Sequence, residues 1–152
     1  MWNFLLHGIS SEGRLALVEI SVTQIGNIGG EPFWRWFGFN HRVEWCAVFV
    51  SWCAEQLGLT EAGVIPRFAL VDDGVRWFKT RYLWQNSSYT PLPGDLIFFD
   101  WDGAGSADHM GIVERVDGEF VYAIEGNTSD MVARRRYRLN SSVIMVYGVP
   151  GF

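Results

Sequence analysis

The sequence contains only two cysteines, Cys46 and Cys53, and no C-x-x-C pair. If both lie on one helix, their separation of seven positions corresponds to about 10 Å along the helix axis. A disulfide tolerates a Cα separation of less than about 7 Å, so we expect two free thiols. The missing C-x-x-C pair also argues against a structural zinc site.

Basic charge and long apolar runs are also scarce. Lys and Arg number 12 against 17 Asp and Glu, and the net charge of −5 provides no long-range attraction for nucleic acid or anionic lipid. The basic cluster Arg134-Arg135-Arg136 alternates faces along a predicted strand, and we expect it to be solvated. No segment is long and apolar enough for a membrane span. The first ten residues, MWNFLLHGIS, lack the basic and long apolar regions of a secretory signal peptide.

Aromatic residues, in contrast, are abundant. The 152 residues include eight Trp and eleven Phe, and 49% of the chain is hydrophobic. A chain of this length buries most of its surface around one core, so we predict a single domain over residues 1–152. Most of the aromatic side chains are expected in that core. Others are expected to line a groove, because indole faces stack well on sugar rings.

Helical patterns occupy the first half of the chain. Residues 11–26 predict a leading amphipathic helix, with an apolar face at helical spacing formed by Leu15, Val18, Val22 and Ile25. Next comes GNIGGEPFWRWFGFN, which is predicted to be a loop because two glycines and Pro32 interrupt it. The segment EWCAVFVSWCAEQL, from Glu44 to Leu57, is apolar almost all round and predicts a central helix that Gly58 ends. A third helix is predicted over Asp73–Thr80, with Asp72 as its N-cap.

Strand patterns follow Pro91 and Pro93. Five segments have the composition of strands: DLIFFDW, HMGIVERV, EFVYAIEG, VARRRYRL and VIMVYGV. The last two close the domain within residues 132–149. Helices followed by consecutive strands with short turns predict an α+β fold, with N-terminal helices packed on an antiparallel β-sheet.

Cys46 stands at the start of the predicted central helix. The free N–H groups and partial positive charge of a helix N-terminus favour a thiolate, and the same N–H groups can stabilise an oxyanion. The alternative is that Cys46 is a small core residue, as we expect for Cys53 deeper in the helix. Nearby partner residues decide between the two.

His109 opens a predicted strand, whereas His7 and His41 lie in the terminus and in a loop and are not expected to be catalytic. The register of the following hairpin decides which partner His109 has. A three-residue loop, Val116-Asp117-Gly118, would pair Arg115 with Glu119 and His109 with Glu125. A two-residue Asp117-Gly118 turn would place His109 and Glu125 on opposite faces. The first register combines an opposite-charge pair with apolar cross-strand contacts, and we favour it.

In that register Glu125 accepts a hydrogen bond from one imidazole nitrogen while the other nitrogen faces the thiol. Asn127, two residues on, shares the face and could hold the imidazole instead. A carboxylate stabilises an imidazolium, whereas an amide only orients it. The alternative is that the run IEGN simply ends a strand in a turn.

The loop between residues 100 and 108 shares some features with a calcium-binding loop. Oxygen-bearing side chains alternate along it, at Asp100, Asp102, Ser106 and Asp108. However, Ala104 stands at the fifth position, and Gly111 stands at the twelfth, where a calcium loop needs a bidentate Glu. We therefore expect a flexible acidic loop and no metal.

With these residues in place, the chain resembles the CHAP family of cysteine, histidine-dependent amidohydrolases and peptidases. The resemblance spans roughly residues 43–127 and rests on four segments in family order: VEWCAVFVSWCAEQLG, PGDLIFFDW, DHMGIVERV and YAIEGN. It implies a papain-like fold and hydrolysis of an amide bond of bacterial peptidoglycan, without a cofactor. It further implies Cys46 as nucleophile, His109 as general base and Glu125 as orienting acid, with Asn127 assisting. The acidic calcium loop of some relatives is replaced here by GFNHRVEW, which has one carboxylate.

The resemblance leaves several functions open. The enzyme could be an N-acetylmuramoyl-L-alanine amidase or an endopeptidase of stem or cross-bridge peptides. An NlpC-type endopeptidase, which cleaves between D-glutamate and a diamino acid, shares the motifs PGD-x-x-F and H-x-G-I-V. The third alternative is an inactive wall-binding module. In each case the site of action is the bacterial cell wall, reached by secretion or phage delivery.

Overall fold

The computed structural model describes the backbone of residues 2–152 and the side chains from Ser11 onward. Within this part of the chain, four helices precede six strands. The helices are α1 (Trp2–Thr23), α2 (Glu31–Phe37), α3 (Cys46–Gln56) and α4 (Val71–Thr80). The strands are β1 (Trp84–Asn86), β2 (Leu96–Phe99), β3 (His109–Asp117), β4 (Phe120–Thr128), β5 (Met131–Arg138) and β6 (Ile144–Gly148).

All six strands form one antiparallel sheet in the order β1-β6-β2-β3-β4-β5. Helix α3 packs on β3 and β4, α4 packs on β6, and α1 contacts α3, β3 and β4. The predicted α+β fold is therefore confirmed. None of the described helices combines the length and hydrophobicity needed to cross a lipid bilayer.

Helix α3 is the centre of the larger hydrophobic core. Eight of its eleven residues are buried, as its all-round apolar sequence predicts. It approaches β4 most closely at Gly126, where an added Cβ would lie 2.6 Å from the Cβ of Phe49. The helix ends at Gln56, and Gly58 follows with a left-handed φ of 69°, as expected. Cys46 and Cys53 are both free thiols.

The predicted apolar face of α1 is partly wrong. Leu15 is 52% exposed, and Ile25, which is 39% exposed, lies beyond the observed end of the helix at Thr23 and not within it as predicted. Leu17 and Ser21 are fully buried. The buried face is therefore displaced around the helix toward Leu17. It tolerates the polar Ser21 because the Ser21 hydroxyl donates to the carbonyl of Val18 at 2.7 Å.

Two further helix predictions need correction. The segment predicted to be a loop contains α2, because Gly30 adopts a left-handed N-cap conformation and Pro32 falls in the first turn, where its missing N–H is harmless. Helix α4 begins at Val71 rather than Asp73, and Leu70 rather than Asp72 precedes it. Asp72 instead accepts a hydrogen bond from the backbone N–H of Ala107 at 3.3 Å.

The short strand β1 was not predicted from the sequence. Its three residues are all exposed, so the strand lacks the alternation of buried and exposed positions from which strands are predicted. It pairs with β6 at the edge of the sheet.

A buried ion pair joins α1 to the segment before β2. Arg14 donates to the Asp95 carboxylate at 2.7 Å and to the carbonyl of Pro93 at 3.1 Å. The Asp95 side chain is fully buried and also accepts hydrogen bonds from the Tyr89 hydroxyl and the Leu92 N–H, at 2.8 and 2.9 Å. Removing the cation would leave a buried charge without its counter-ion.

We expect the substitution Arg14→Leu to lower the free energy of unfolding by about 3 kcal/mol. This lies at the low end for a buried pair because Tyr89 and Leu92 still donate to the carboxylate. The matched control is Arg35→Leu, which removes an ion pair with Glu31 whose two side chains are more than half exposed. The control should lose less than about 1 kcal/mol. Equal losses in urea denaturation would contradict the assignment.

Candidate active site

Cys46 is the first residue of α3, as predicted. The preceding N-cap residue, Trp45, makes no side-chain cap hydrogen bond to the helix. The first-turn N–H groups are therefore without a side-chain cap. The Trp45 indole is fully buried and donates from Nε1 to Asp130 at 3.2 Å. This contact anchors the start of the helix to the turn between β4 and β5.

The observed register of the hairpin formed by β3 and β4 differs from both predicted registers. Asp117 pairs with Phe120, so the turn residues are Gly118 and Glu119, and Gly118 has a φ of 58°. A register shift follows between Val113 and Arg115. The bulged residue, Glu114, instead forms a bidentate ion pair with Arg134 of β5 at 2.8 and 2.7 Å. The predicted pairing of Arg115 with Glu119 is therefore wrong.

The structure nevertheless brings His109 and Glu125 together. Nε2 of His109 donates to Oε1 of Glu125 at 2.7 Å, although the two residues are not direct cross-strand partners. Continuing the observed register from the pair Ile112 and Ile124 places Gly111 opposite Glu125. An added Cβ on Gly111 would lie 2.7 Å from Cγ of Glu125. The carboxylate thus lies over a residue without a side chain and reaches His109 diagonally.

The imidazole of His109 joins the thiol and the carboxylate. Burial by itself would lower the pKa of His109, but hydrogen bonds to Cys46 and to Glu125 outweigh this effect and raise it to about 9. Since Glu125 occupies Nε2, Nδ1 is the nitrogen left for the thiol. The imidazole also stacks on Phe99, with ring centroids 5.8 Å apart. The site therefore favours a positively charged imidazole.

Asn127 lies at the same site, but its amide has other partners. It adopts a left-handed φ of 57°, next to a register shift between β4 and β5. Its side-chain oxygen accepts a hydrogen bond from Arg42 at 2.9 Å, and its amide nitrogen donates to Glu44. Arg42 also binds Asp130, at 2.9 and 3.0 Å, and its hydrogen bond is the main cause that lowers the pKa of Asp130.

These residues surround an open cleft of about 450 Å³. Three carboxylates line it, those of Glu44, Asp72 and Asp108, and among the residues that the structure describes its lining contains no Lys or Arg. The remaining lining residues are Cys46, Ala69, Leu70, Val71, Trp101, Ala107, His109 and Asn127. A thiol and an imidazole that share one cleft with backbone N–H donors have the parts needed for acyl transfer.

The acidic loop of residues 100–108 borders this cleft. Carboxylate oxygens of Asp100, Asp102 and Asp108 lie within 4.8 Å of one another. They accept hydrogen bonds from the loop's own backbone: Asp108 from Trp101, Asp102 from Ala104, and Asp100 from Ala104 and Gly105. These bonds give the loop a defined shape, and they lower the pKa of Asp100, chiefly through the N–H of Gly105.

Two residues at the site were not predicted from the sequence. Tyr137 of β5 donates its hydroxyl to Oε2 of Glu125 at 2.5 Å. Trp101, which is 45% exposed, stacks on Phe99 and lies 6.0 Å from the imidazole of His109. In the sequence, Tyr137 appears only as a single aromatic residue within the run RRRYR. Its hydrogen-bond partner, Glu125, depends on the register between β4 and β5.

Comparisons with known proteins agree with this architecture. A family model described as CHAP domain matches residues 37–127. No curated protein matches the chain. One similar structure is Ly7917 with the hydrolyzing product of MDP, with a TM-score of 0.57 and 17% identity over 90% of this chain and 62% of that chain. Another is a Staphylococcus aureus subsp. aureus Mu50 protein similar to lipoproteins of the NLP/P60 family. Its TM-score is 0.50 and its identity 18%, over 91% of this chain and 41% of that chain.

The raised pKa of His109 predicts a pH-dependent contribution to stability. The folded value of about 9 lies above the ordinary value of 6.5, so folding favours the protonated imidazole. This contribution, about 3 kcal/mol, is complete below pH 6.5 and is lost as the pH rises through 9. The difference in free energy of unfolding between the parent and His109→Gln should shrink over that range. A difference that is equal at pH 6 and pH 9.5 in urea titrations would contradict it.

Proposed function

The chain belongs to the CHAP domain family, and we propose that it hydrolyses an amide bond of bacterial peptidoglycan with Cys46 as the nucleophile. The main support is one connected set of side chains in an open cleft. The thiol of Cys46 lies in the same cleft as His109 and helps to raise the pKa of the imidazole, and His109 contacts the buried carboxylate of Glu125. This is the order of nucleophile, base and orienting acid that cysteine hydrolases require.

The proposed reaction has two steps. The thiolate of Cys46 attacks the amide carbonyl carbon, and the protonated His109 gives its proton to the leaving amine as the C–N bond breaks. A water molecule then gives a proton to His109 as its oxygen attacks the thioester carbonyl, and the C–S bond breaks, which releases the carboxylic acid and restores the thiolate–imidazolium pair. Backbone N–H groups at the start of α3 stabilise the oxyanion in both steps.

Glu125 and Asn127 have different roles in this proposal. Glu125 keeps the imidazole oriented and stabilises its positive charge. Asn127 assists from the cleft wall, where it links Arg42 and Glu44 beside the nucleophile. It thus shapes the space next to the scissile bond, and its partners do not include the imidazole.

The similar structures support a cell-wall substrate. Ly7917 was crystallised with the hydrolyzing product of MDP, and the staphylococcal protein belongs to the NLP/P60 family. The present chain spans about 62% and 41% of the lengths of those two chains. The likeness therefore covers one unit of those longer chains. We propose that this unit cleaves an amide bond of the wall, either between the glycan and the peptide or within the peptides.

Two kinds of bond fit this unit. An N-acetylmuramoyl-L-alanine amidase would release peptides with a new amino terminus on alanine. An endopeptidase, including one of the NlpC type, would instead expose new termini within the stem or cross-bridge peptides. Mass spectrometry of fragments from purified peptidoglycan distinguishes the two by the residue that carries the new amine.

We expect the substitution Cys46→Ala to reduce the release of peptidoglycan fragments by at least about a thousand-fold, because no other group in the cleft replaces the nucleophile. His109→Ala should be similarly inactive. The matched control is Cys53→Ala, which changes the other thiol of α3, far from the cleft, and should retain the parent rate. The measurement is the clearing of purified walls, with fragments identified by mass spectrometry.

Two results would contradict the proposal. One is a Cys46→Ala protein that clears walls as fast as the parent. The other is a folded parent that binds walls without releasing any fragment, which would instead indicate a wall-binding module.

A further inference from the structure

We propose that Tyr137 is a positioning residue that holds the Glu125 carboxylate in the orientation in which it binds His109. This inference rests on the proposed function, because it assigns a role to the orienting acid. Tyr137 lies on β5, outside the range matched by the family model. Its contact with the site is nevertheless a direct hydrogen bond to the carboxylate.

The two oxygens of Glu125 have one partner each. Oε1 accepts from Nε2 of His109 at 2.7 Å, and Oε2 accepts from the Tyr137 hydroxyl at 2.5 Å. In the described part of the chain, no other side chain donates to this carboxylate. The Glu125 side chain is fully buried, so bulk water does not reach either oxygen. The hydroxyl therefore determines which way the carboxylate is rotated.

The position of Tyr137 is itself fixed by packing. Its ring lies 4.6 Å from that of Phe99 and 5.8 Å from that of Trp101, measured between ring centroids. The same Phe99 ring stacks on the imidazole of His109. Both donors to Glu125 therefore pack on one aromatic side chain. The side chain of Glu125 packs closely over Gly111, so it has no space to move toward β3.

Charge considerations explain why a hydroxyl is suited to this position. A buried carboxylate needs donors, but a second cation beside it would compete with the imidazolium. A neutral hydroxyl satisfies the second oxygen, so that within the described part of the chain His109 is the one side-chain donor to the carboxylate that can carry a positive charge. Burial and the neighbouring Glu125 raise the pKa of Tyr137 far above its ordinary value, so the hydroxyl stays protonated. Two further titratable groups face this cluster: the thiol of Cys46, next to His109, and the guanidinium of Arg135, near Tyr137.

The test compares Tyr137→Phe with the parent by NMR titration of the His109 imidazole, a readout that does not require activity. Without the hydroxyl, the carboxylate rotates and its contact with His109 weakens. We expect the titration midpoint of His109 to fall by at least about half a pH unit. The control is Tyr122→Phe on the neighbouring strand β4, whose ring packs against the Arg115 guanidinium. This control should titrate like the parent.

Kinetics provide the second readout. For Tyr137→Phe we expect kcat to fall about ten-fold or more, with KM changed less than about two-fold, because the hydroxyl acts on the imidazole and not on the substrate. The high-pH limb of the kcat profile should move to lower pH together with the NMR midpoint. A variant that is only less stable, with an unchanged His109 titration, would overturn the inference.

A second pair of variants covers the case in which Tyr137→Phe fails to fold. Glu125→Gln removes the buried charge, so adding Tyr137→Phe to it leaves no unpaired carboxylate. If Tyr137 acts through Glu125, the double variant should match Glu125→Gln in His109 titration and in kcat within about two-fold. A further ten-fold loss in the double variant would overturn the inference. An inactive parent with the expected titration shift would contradict the proposed function and leave the positioning role supported.

Discussion

The buried carboxylate of Glu125 is the constraint on which the rest of the site depends. A carboxylate that is buried away from water is stable only if each of its oxygens accepts a hydrogen bond. His109 on one neighbouring strand and Tyr137 on the other meet this requirement. The His109 imidazole is therefore held by a balance of charge within the sheet. Helix α3 places the thiol of Cys46 in the same cleft from the opposite layer.

That approach depends on a second constraint, the close packing of α3 on β4. The space that Gly126 leaves beside Phe49 sets how near the helix lies to the sheet. At the start of the helix, the contact of Trp45 with Asp130 fixes its end relative to the turn after β4. The helix and the sheet are thus attached at two points, one before and one after Cys46 in the sequence. Both contacts involve the end of strand β4 or the turn that follows it.

Much of this arrangement was predictable from the sequence, and the parts that were not have physical reasons. The apolar pattern of α3 and the alternation in the strands indicated both layers, because burial determines those patterns. The predicted register of the hairpin between β3 and β4 was wrong because the ion pair between Glu114 and Arg134 stabilises a bulge. This contact reaches from β3 across β4 to β5. Helix α2 was missed because a left-handed Gly30 can begin a helix as well as interrupt one. Tyr137 was missed because its partner follows from the register.

The same strand order has a consequence for when the site can assemble during synthesis. Cys46 and His109 are 63 positions apart in the sequence, and β5, which carries a donor to Glu125, follows both. A nascent chain that has emerged only as far as β4 contains the thiol, the imidazole and the carboxylate but lacks the edge strand beside the carboxylate. The complete hydrogen bonding of Glu125 is thus a property of the finished sheet, and an unfinished polypeptide lacks one of its two donors.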